Sequence, residues 1–235
     1  MINIKKIAII PARWGSKWIP KKNIVELSWK PLVNYSIEAA IKSKCFDKIC
    51  VATDSSDIIK VASTYDVEII RLPSDLTTDE SKMIDVVLFV LNYYEDNNEK
   101  FNITILLQPT SPLRTYIDIQ NALKEYLNLN KYNSLVSFCE TNEHPYKSFL
   151  YNDNEIKPVF WEEYISLPRQ LLPKTIQQNW AIYINKVEDL RKNKSFFTQP
   201  VYPFIMDELS SIDIDKKLDL LFAEFCINNS NKYEK

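Results

Sequence analysis

The sequence predicts an α/β protein with a doubly wound, mostly parallel sheet and a small excursion. Three observations carry this. Apolar runs of strand length alternate with helical patterns, the signature of crossover units. The first run, Ile7–Ala12, breaks into a polar loop holding Arg13, Ser16, Lys17, Lys21, Lys22 and Asn23, as open sheets do where they bind phosphate. With 235 residues, the chain is long enough for one sizeable core.

Ile7–Ala12, Ile49–Thr53, Val67–Ile70, Ile103–Gln108 and Leu135–Cys139 are short, nearly continuous apolar runs, as expected of strands buried on both faces. Between them, Pro31–Lys42 opens on a proline suited to a first helical turn and puts Val33, Ile37, Ala40 and Ile41 on one face. Asp57–Tyr65 and Ser81–Tyr94 are the next helices. Thr115–Leu129 follows, with Thr115 as cap and Asp118 in its first turn.

The rhythm changes after about Glu140. Residues 141–178 are richer in Pro, Tyr, Asn and charge, with strand-like pieces near Phe149 and Val159. They are read as an excursion lying against another surface, such as a second subunit. The main domain, 1–140, then resumes over 179–228. Ala181–Asn185, Val201–Met206 and Ser211–Ile214 are expected as strands and Lys217–Cys226 as a closing helix. The polar tail from Asn228 to Lys235 is expected to fray.

Twenty-nine basic against 31 acidic residues leave no nucleic-acid footprint. The longest apolar stretch, Val86–Leu91, is too short for a membrane span, and no signal peptide is evident. Cys45, Cys50, Cys139 and Cys226 lack CxxC spacing and there is a single histidine. A zinc site is therefore not expected, and reduced thiols in a cytoplasmic protein are.

Four polar clusters fall near strand ends, where doubly wound sheets bind ligands. The cations of Arg13–Asn23 suit a triphosphate, with Ser16 as a donor, although neither GxxxxGK[ST] nor GxGxxG is present. Gln108-Pro109-Thr110-Ser111-Pro112-Leu113-Arg114 is a proline-fixed turn presenting polar groups. In Ser211-Ile212-Asp213-Ile214-Asp215, strand alternation puts both acids on one face, where a hard cation such as Mg²⁺ would relieve their repulsion. His144, Lys147, Arg169, Gln170, Asn179, Tyr183, Phe196 and Phe197 are scattered. A fixed cation beside aromatics suits an acidic sugar, while ordinary packing is the plainer alternative.

Together, IIPARxGSKxIPxKNI, LLQPTSPLRT, the HPxK at His144–Lys147 and SIDID resemble the acylneuraminate cytidylyltransferase family, from about Ile7 to Leu221. The resemblance implies Mg²⁺-dependent transfer of CMP from CTP to the anomeric hydroxyl of a sialic-acid-like nonulosonic acid. It places Arg13, Ser16, Lys17, Lys22 and Asn23 on the nucleotide and Asp213 and Asp215 on the metal. Gln108, Tyr183, Phe196 and Phe197 fall on the sugar. Lys147 and Arg169 match residues that reach a neighbouring subunit's sugar across a homodimer. Arg13, Lys17, Lys22 and Asp213 are the catalytic candidates, and no general base is evident. Two other readings stay open: a non-catalytic nucleotide-binding scaffold whose loop is blocked by tryptophan, and a cytidylyltransferase for an eight-carbon ulosonic acid.

The departures are specific. Gly15 is the sole glycine, where average usage of roughly 7% would give about sixteen. Relatives carry glycine at the positions of Trp29 and Trp180, and commonly at those of Trp14 and Trp18, which vary. A turn needing φ > 0 resists an indole by at least about 1 kcal/mol. The hypothesis is that UGA codons meaning glycine are here read as tryptophan. Relatives also place an arginine directly before the proline of Arg71-Leu72-Pro73, near the cytosine. Here Arg71 is set one residue back and is the candidate base contact.

Overall fold

The computed structural model describes residues 4–129 and 131–229. Its strands are β1 (Lys6–Pro11), β2 (Glu26–Leu27), β3 (Lys30–Pro31), β4 (Lys48–Thr53), β5 (Glu68–Arg71), β6 (Ile103–Leu107), β7 (Ser134–Glu140), β8 (Phe149–Asn152), β9 (Glu155–Pro158), β10 (Ile176–Lys186) and β11 (Val201–Ile205). The helices are α1 (Leu32–Ser43), α2 (Ser56–Ala62), α3 (Met83–Asp96), α4 (Tyr116–Asn128), α5 (Val187–Asn193) and α6 (Lys217–Asn229). Seven strands form one sheet in the order β11-β7-β10-β6-β1-β4-β5. All neighbours are parallel except β10, which runs antiparallel to both β6 and β7.

Alternation along β1 explains the layering. Ala8 and Ile10 belong to a core shared with α1, α2 and α4, through Val33, Ile37, Ile58 and Ile119. Ile7 and Ile9 turn to the opposite core, closed by Val86, Val87, Val90 and Tyr94 of α3. Helices therefore cover both faces, and every central strand is buried on both sides. The α4 start is a full capping box, the Thr115 hydroxyl accepting from the Asp118 N–H while the Asp118 carboxylate accepts from the Thr115 N–H.

The chain winds from β1 through β4 to β5, then returns to place β6 on the other side of β1. The loops after β1 and β6 therefore diverge, leaving a crevice at their carboxyl ends. A smaller core of Ile19, Leu27, Leu32, Ile214 and Ala223 joins the opening loop to the C-terminal segment.

Four expectations need correction. Ser211–Ile214 is not a strand. It opens on a turn, with the Ser211 and Ile212 N–H groups donating to the Glu208 and Leu209 carbonyls at 3.3 and 3.2 Å. Beyond the turn Ile214 is fully buried, and the segment's long-range backbone bond runs from the Ile214 N–H to the Thr110 carbonyl at 2.8 Å, with no ladder partner. Helix α5 was not foreseen, because of VEDLRKN only Leu190 is buried. Strand β10 begins at Ile176 rather than Ala181, so the excursion ends within a strand. Asn228 and Asn229 continue α6; the rest of the expected frayed tail, 230–235, lies outside the described residues. Among those residues, no helix is long and apolar enough to cross a membrane, and the four cysteines are free.

Candidate active site

A cleft of about 400 Å³ opens at the β1–β6 crevice, lined by Arg13, Ser16, Lys17, Lys22, Asn23, Gln108 and Asp215 among others. The opening loop thus meets the end of β6 and the acids of the C-terminal segment in one place. Packing explains the meeting, since Ile19 and Ile214 share a core and carry the adjoining cations and carboxylates with them.

The Lys22 ammonium donates to the Ile214 carbonyl at 2.8 Å and to Asp215 Oδ1 at 3.0 Å. Asn23, buried, donates its amide to the Arg13 carbonyl at 2.8 Å and fixes the loop. On the opposite rim, Arg13 donates to the Thr78 carbonyl at 2.6 Å and lies 3.0 Å from Asp79 Oδ1. Lys17 approaches the other Asp79 oxygen at 3.7 Å. Three cations therefore converge on the cleft, countered by one carboxylate on each rim.

Asp213 and Asp215 differ in setting. Asp215 is exposed and lines the cleft, whereas Asp213 is largely buried beside it. Burial, with the charge of Asp215, pushes the Asp213 carboxyl up to about 6 despite a hydrogen bond from Thr110. Its Oδ1 has no hydrogen-bond partner. An orphaned buried carboxylate oxygen beside a second acid is the donor set a hard divalent cation takes, so these residues fit Mg²⁺. Among the described residues no cluster of three or more His, Cys, Asp or Glu forms a closed cage.

Gln108 connects the cleft to the aromatic cluster. Its side chain lies close enough to the Tyr183 hydroxyl to act on the phenol's ionisation, and the Tyr183 ring meets Phe196 tilted and Phe197 edge-on, at ring-centre distances of 5.2 and 6.5 Å. Burial raises the Tyr183 phenol, so the hydroxyl stays protonated. Gln108, Tyr183, Phe196 and Phe197 thus form one group adjoining Asp213.

The remaining candidates lie elsewhere. Arg71 is exposed at the end of β5 and does not line the cleft; Leu72 does. Lys147 and Arg169 sit on the excursion, where Arg169 donates to the carbonyls of Asn142, at 2.9 Å, and Thr141. His144 is buried with both ring nitrogens engaged, by the Pro173 carbonyl and the Tyr146 N–H, and holds the excursion together. Gln170 is exposed. Asn179 is buried and donates to Ser211 Oγ at 2.9 Å. Thr110, expected as a polar group of the proline-fixed turn, meets Asp213; Asp79 was not anticipated, because it becomes relevant only through a long-range contact.

The tryptophans leave the cleft open. Trp14 packs outside it, beside Asp54–Asp57, with the Lys21 ammonium 4.4 Å from its ring centre. Trp18 stands exposed at the rim. Trp29 and Trp180 adopt φ of 69° and 62°, the left-handed region, while Trp14 and Trp18 do not.

A doubly wound sheet with a cation-lined cleft at its switch point and paired acids beside it defines a nucleotide-handling α/β protein. The family model described as Cytidylyltransferase matches residues 7–220, and the chain belongs to that family. It is 36% identical over 219 residues to the N-acylneuraminate cytidylyltransferase of Escherichia coli, covering 93% of this chain and 51% of that one; the chain spans about half that relative's length. It is 35% identical to the CMP-N,N'-diacetyllegionaminic acid synthase of Legionella pneumophila, covering 93% and 94% of the two chains. The solved structure of CMP:2-keto-3-deoxy-manno-octonic acid synthetase complexed with CTP superposes with a TM-score of 0.70 at 15% identity, over 96% and 99% of the chains. That likeness is one of fold.

Proposed function

We propose that this chain is a Mg²⁺-dependent cytidylyltransferase that moves CMP from CTP to the anomeric hydroxyl of a sialic-acid-like nonulosonic acid and releases pyrophosphate. The observation that carries the reading is one cleft shared by Arg13, Lys17, Lys22 and Asp215, joined through Gln108 to Tyr183, Phe196 and Phe197. Cations for a triphosphate and a polar–aromatic wall for a sugar acid meet at the paired acids.

In this reading the acceptor oxygen attacks the α-phosphorus in line, forming one P–O bond as the bond to the β-phosphate oxygen breaks. Arg13 and Lys17 take up charge on the departing pyrophosphate, and Lys22 holds Asp215 in place while facing the same phosphates. Asp213 and Asp215 hold the metal, which when bound polarises the phosphoryl oxygens. Gln108 and Tyr183 orient the acceptor against the Phe196 and Phe197 rings. The open cleft gives no support to a scaffold blocked by tryptophan.

The proposal extends to a cytoplasmic homodimer. Leu150, Tyr151, Ile156 and Trp161 of the excursion are 60%, 71%, 67% and 59% exposed, a concentration of apolar surface that suits a subunit contact. Lys147 and Arg169 lie on this same excursion, away from their own cleft, which suits a contribution to the neighbour's site. Free cysteines suit a reducing compartment.

The test is pyrophosphate release with CTP and a panel of sialic, legionaminic, pseudaminic and eight-carbon ulosonic acids, using this chain and one carrying glycine at 14, 18, 29 and 180. Turnover with a nine-carbon acid is expected. Silence with every acid from both proteins overturns the reading, and turnover with the eight-carbon acid alone replaces the substrate.

A further inference from the structure

Gln178 and Tyr183 are five residues apart on β10, and in a regular strand an odd separation puts side chains on opposite faces. Here they touch. Gln178 is paired with Phe138 and Tyr183 with Val136, so five steps of β10 lie opposite two steps of β7. The three extra residues form a bulge in which Trp180, at φ 62°, is exposed while Asn179, Ala181 and Ile182 are buried. The bulge is stitched by the Ile182 N–H to Ser137 Oγ at 2.8 Å and by Arg114 to the Ala181 carbonyl at 3.0 Å. Because Phe138 and Val136 share a face of β7, their partners share one too, and the Gln178 amide donates to the Tyr183 hydroxyl.

We propose that Gln178 is a specificity-determining residue for the acceptor, its amide reading an amide or hydroxyl substituent of the acidic sugar. This deepens the function proposed above and rests on it. A primary amide carries two donor hydrogens and an acceptor oxygen. One donor is spent on Tyr183, and among the described residues no protein group meets the other donor or the oxygen. Gln178 is half-buried, so an unused donor and acceptor stand together at the edge of the aromatic wall of Tyr183, Phe196 and Phe197. Such a pair complements an amide, which offers one of each. The Gln108 side chain, which lines the nucleotide cleft, also lies near the Tyr183 hydroxyl, so Gln178 sits one residue removed from that cleft while lying outside its lining.

The experiment compares the wild type with Gln178→Ala in steady-state kinetics, varying CTP and each acceptor, with CTP binding by calorimetry as the check on folding. The acceptor KM is expected to rise about tenfold, the scale of one neutral hydrogen bond. The KM for CTP and kcat are expected to stay within about twofold of wild type, and preference between acceptors differing only in one N-acyl group to narrow by a similar factor. Gln178→Asn, which keeps the amide on a shorter stem, should give a smaller rise and carries the test if the alanine variant does not fold. An unchanged acceptor KM, or equal losses for CTP and acceptor, overturns the proposal while leaving the enzyme reading intact. Loss of CTP binding in both variants makes Gln178 structural and also overturns it. A wild type that binds CTP yet turns over no acid removes the enzyme reading and this proposal together.

Discussion

Lys22 Nζ lies 3.0 Å from Asp215 Oδ1, bridging the loop after the first strand to an acid 193 positions later in the chain. This contact and the Ile19–Ile214 core set the two halves of the site against each other. Asp213→Asn keeps the size and shape of a buried side chain, so the fold is expected to survive. Turnover is expected to fall on the order of a thousandfold, the scale for removing a group that steadies transition-state charge. Circular dichroism with rate measurements across a Mg²⁺ titration checks both halves. Normal Mg²⁺-dependent rates in a folded Asp213→Asn protein would rule out the metal role.

Asp79 stands where phosphate oxygens are expected, 3.0 Å from Arg13 and 3.7 Å from Lys17. In the proposed reading a triphosphate displaces it. The side chains of Arg13, Lys17 and Asp79 are 37%, 67% and 48% exposed, so solvent screens these pairs and each is worth well under about 1 kcal/mol. Asp79→Asn is therefore expected to tighten CTP binding by no more than about fivefold, with the gain shrinking as salt rises. Calorimetry at two ionic strengths reads this, and weaker binding would mean that Asp79 itself helps hold the nucleotide.

Most of the sheet was legible because buried parallel strands announce themselves as apolar runs with no competing pattern, as Ile7–Ala12 and Ile103–Gln108 do. Alternation was less reliable. In Ser211–Ile214 it marked Ile212 and Ile214 as packing positions but said nothing about a ladder partner, and the segment opens on a turn. Helix α5 escaped because a seven-residue helix with one buried position, Leu190, leaves no 3.6-residue rhythm to find. In the site, the convergence of Arg13, Lys17 and Lys22 on one cleft was legible from charge placed after the first strand, whereas Asp215 was picked out by a strand alternation that the structure does not keep. Gln178 was not, since its pairing with Tyr183 depends on a bulge that reverses the parity a strand reading assumes. Asp79 was not either, because nothing local distinguishes it from neighbouring acids.

Arg114 is fully buried, and no carboxylate pairs with it among the described residues. It donates to the carbonyls of Gln108 and Ala181, each at 3.0 Å, and to Ser36 Oγ at 2.6 Å, tying β6, β10 and α1 together beneath the site. Burial lowers its ionisation to about 10, which still leaves it charged at neutral pH. Arg114→Met is expected to strand those acceptors and cost about 3 kcal/mol or more. Arg114→Lys should recover part of this, since an ammonium keeps the charge without the planar fork. Denaturant midpoints of the two variants check the order, and a methionine variant as stable as wild type would remove Arg114 from this role.

Trp29 and Trp180 separate from the other tryptophans by backbone geometry alone. At φ of 69° and 62° each holds a Cβ in the left-handed region at a cost of roughly 1–2 kcal/mol. Glycine removes that strain but returns about 0.4–1 kcal/mol through a freer unfolded chain. At position 29, where the indole is 94% exposed, little packing is lost, and Trp29→Gly is expected to stabilise by about 0.5–1 kcal/mol, a few degrees in Tm. Trp180 is 47% exposed and gives up some contact, so its gain should be smaller. Trp161 is the control. Its φ is −79° and its ring lies 5.8 Å from that of Tyr164, so Trp161→Gly should destabilise. Thermal melts of the three variants give the signs, and peptide mass spectrometry of the native protein gives the residues. Glycine at 29 and 180 would establish the recoded reading, whereas tryptophan at both ends it and leaves two strained turns that the rest of the fold must hold closed.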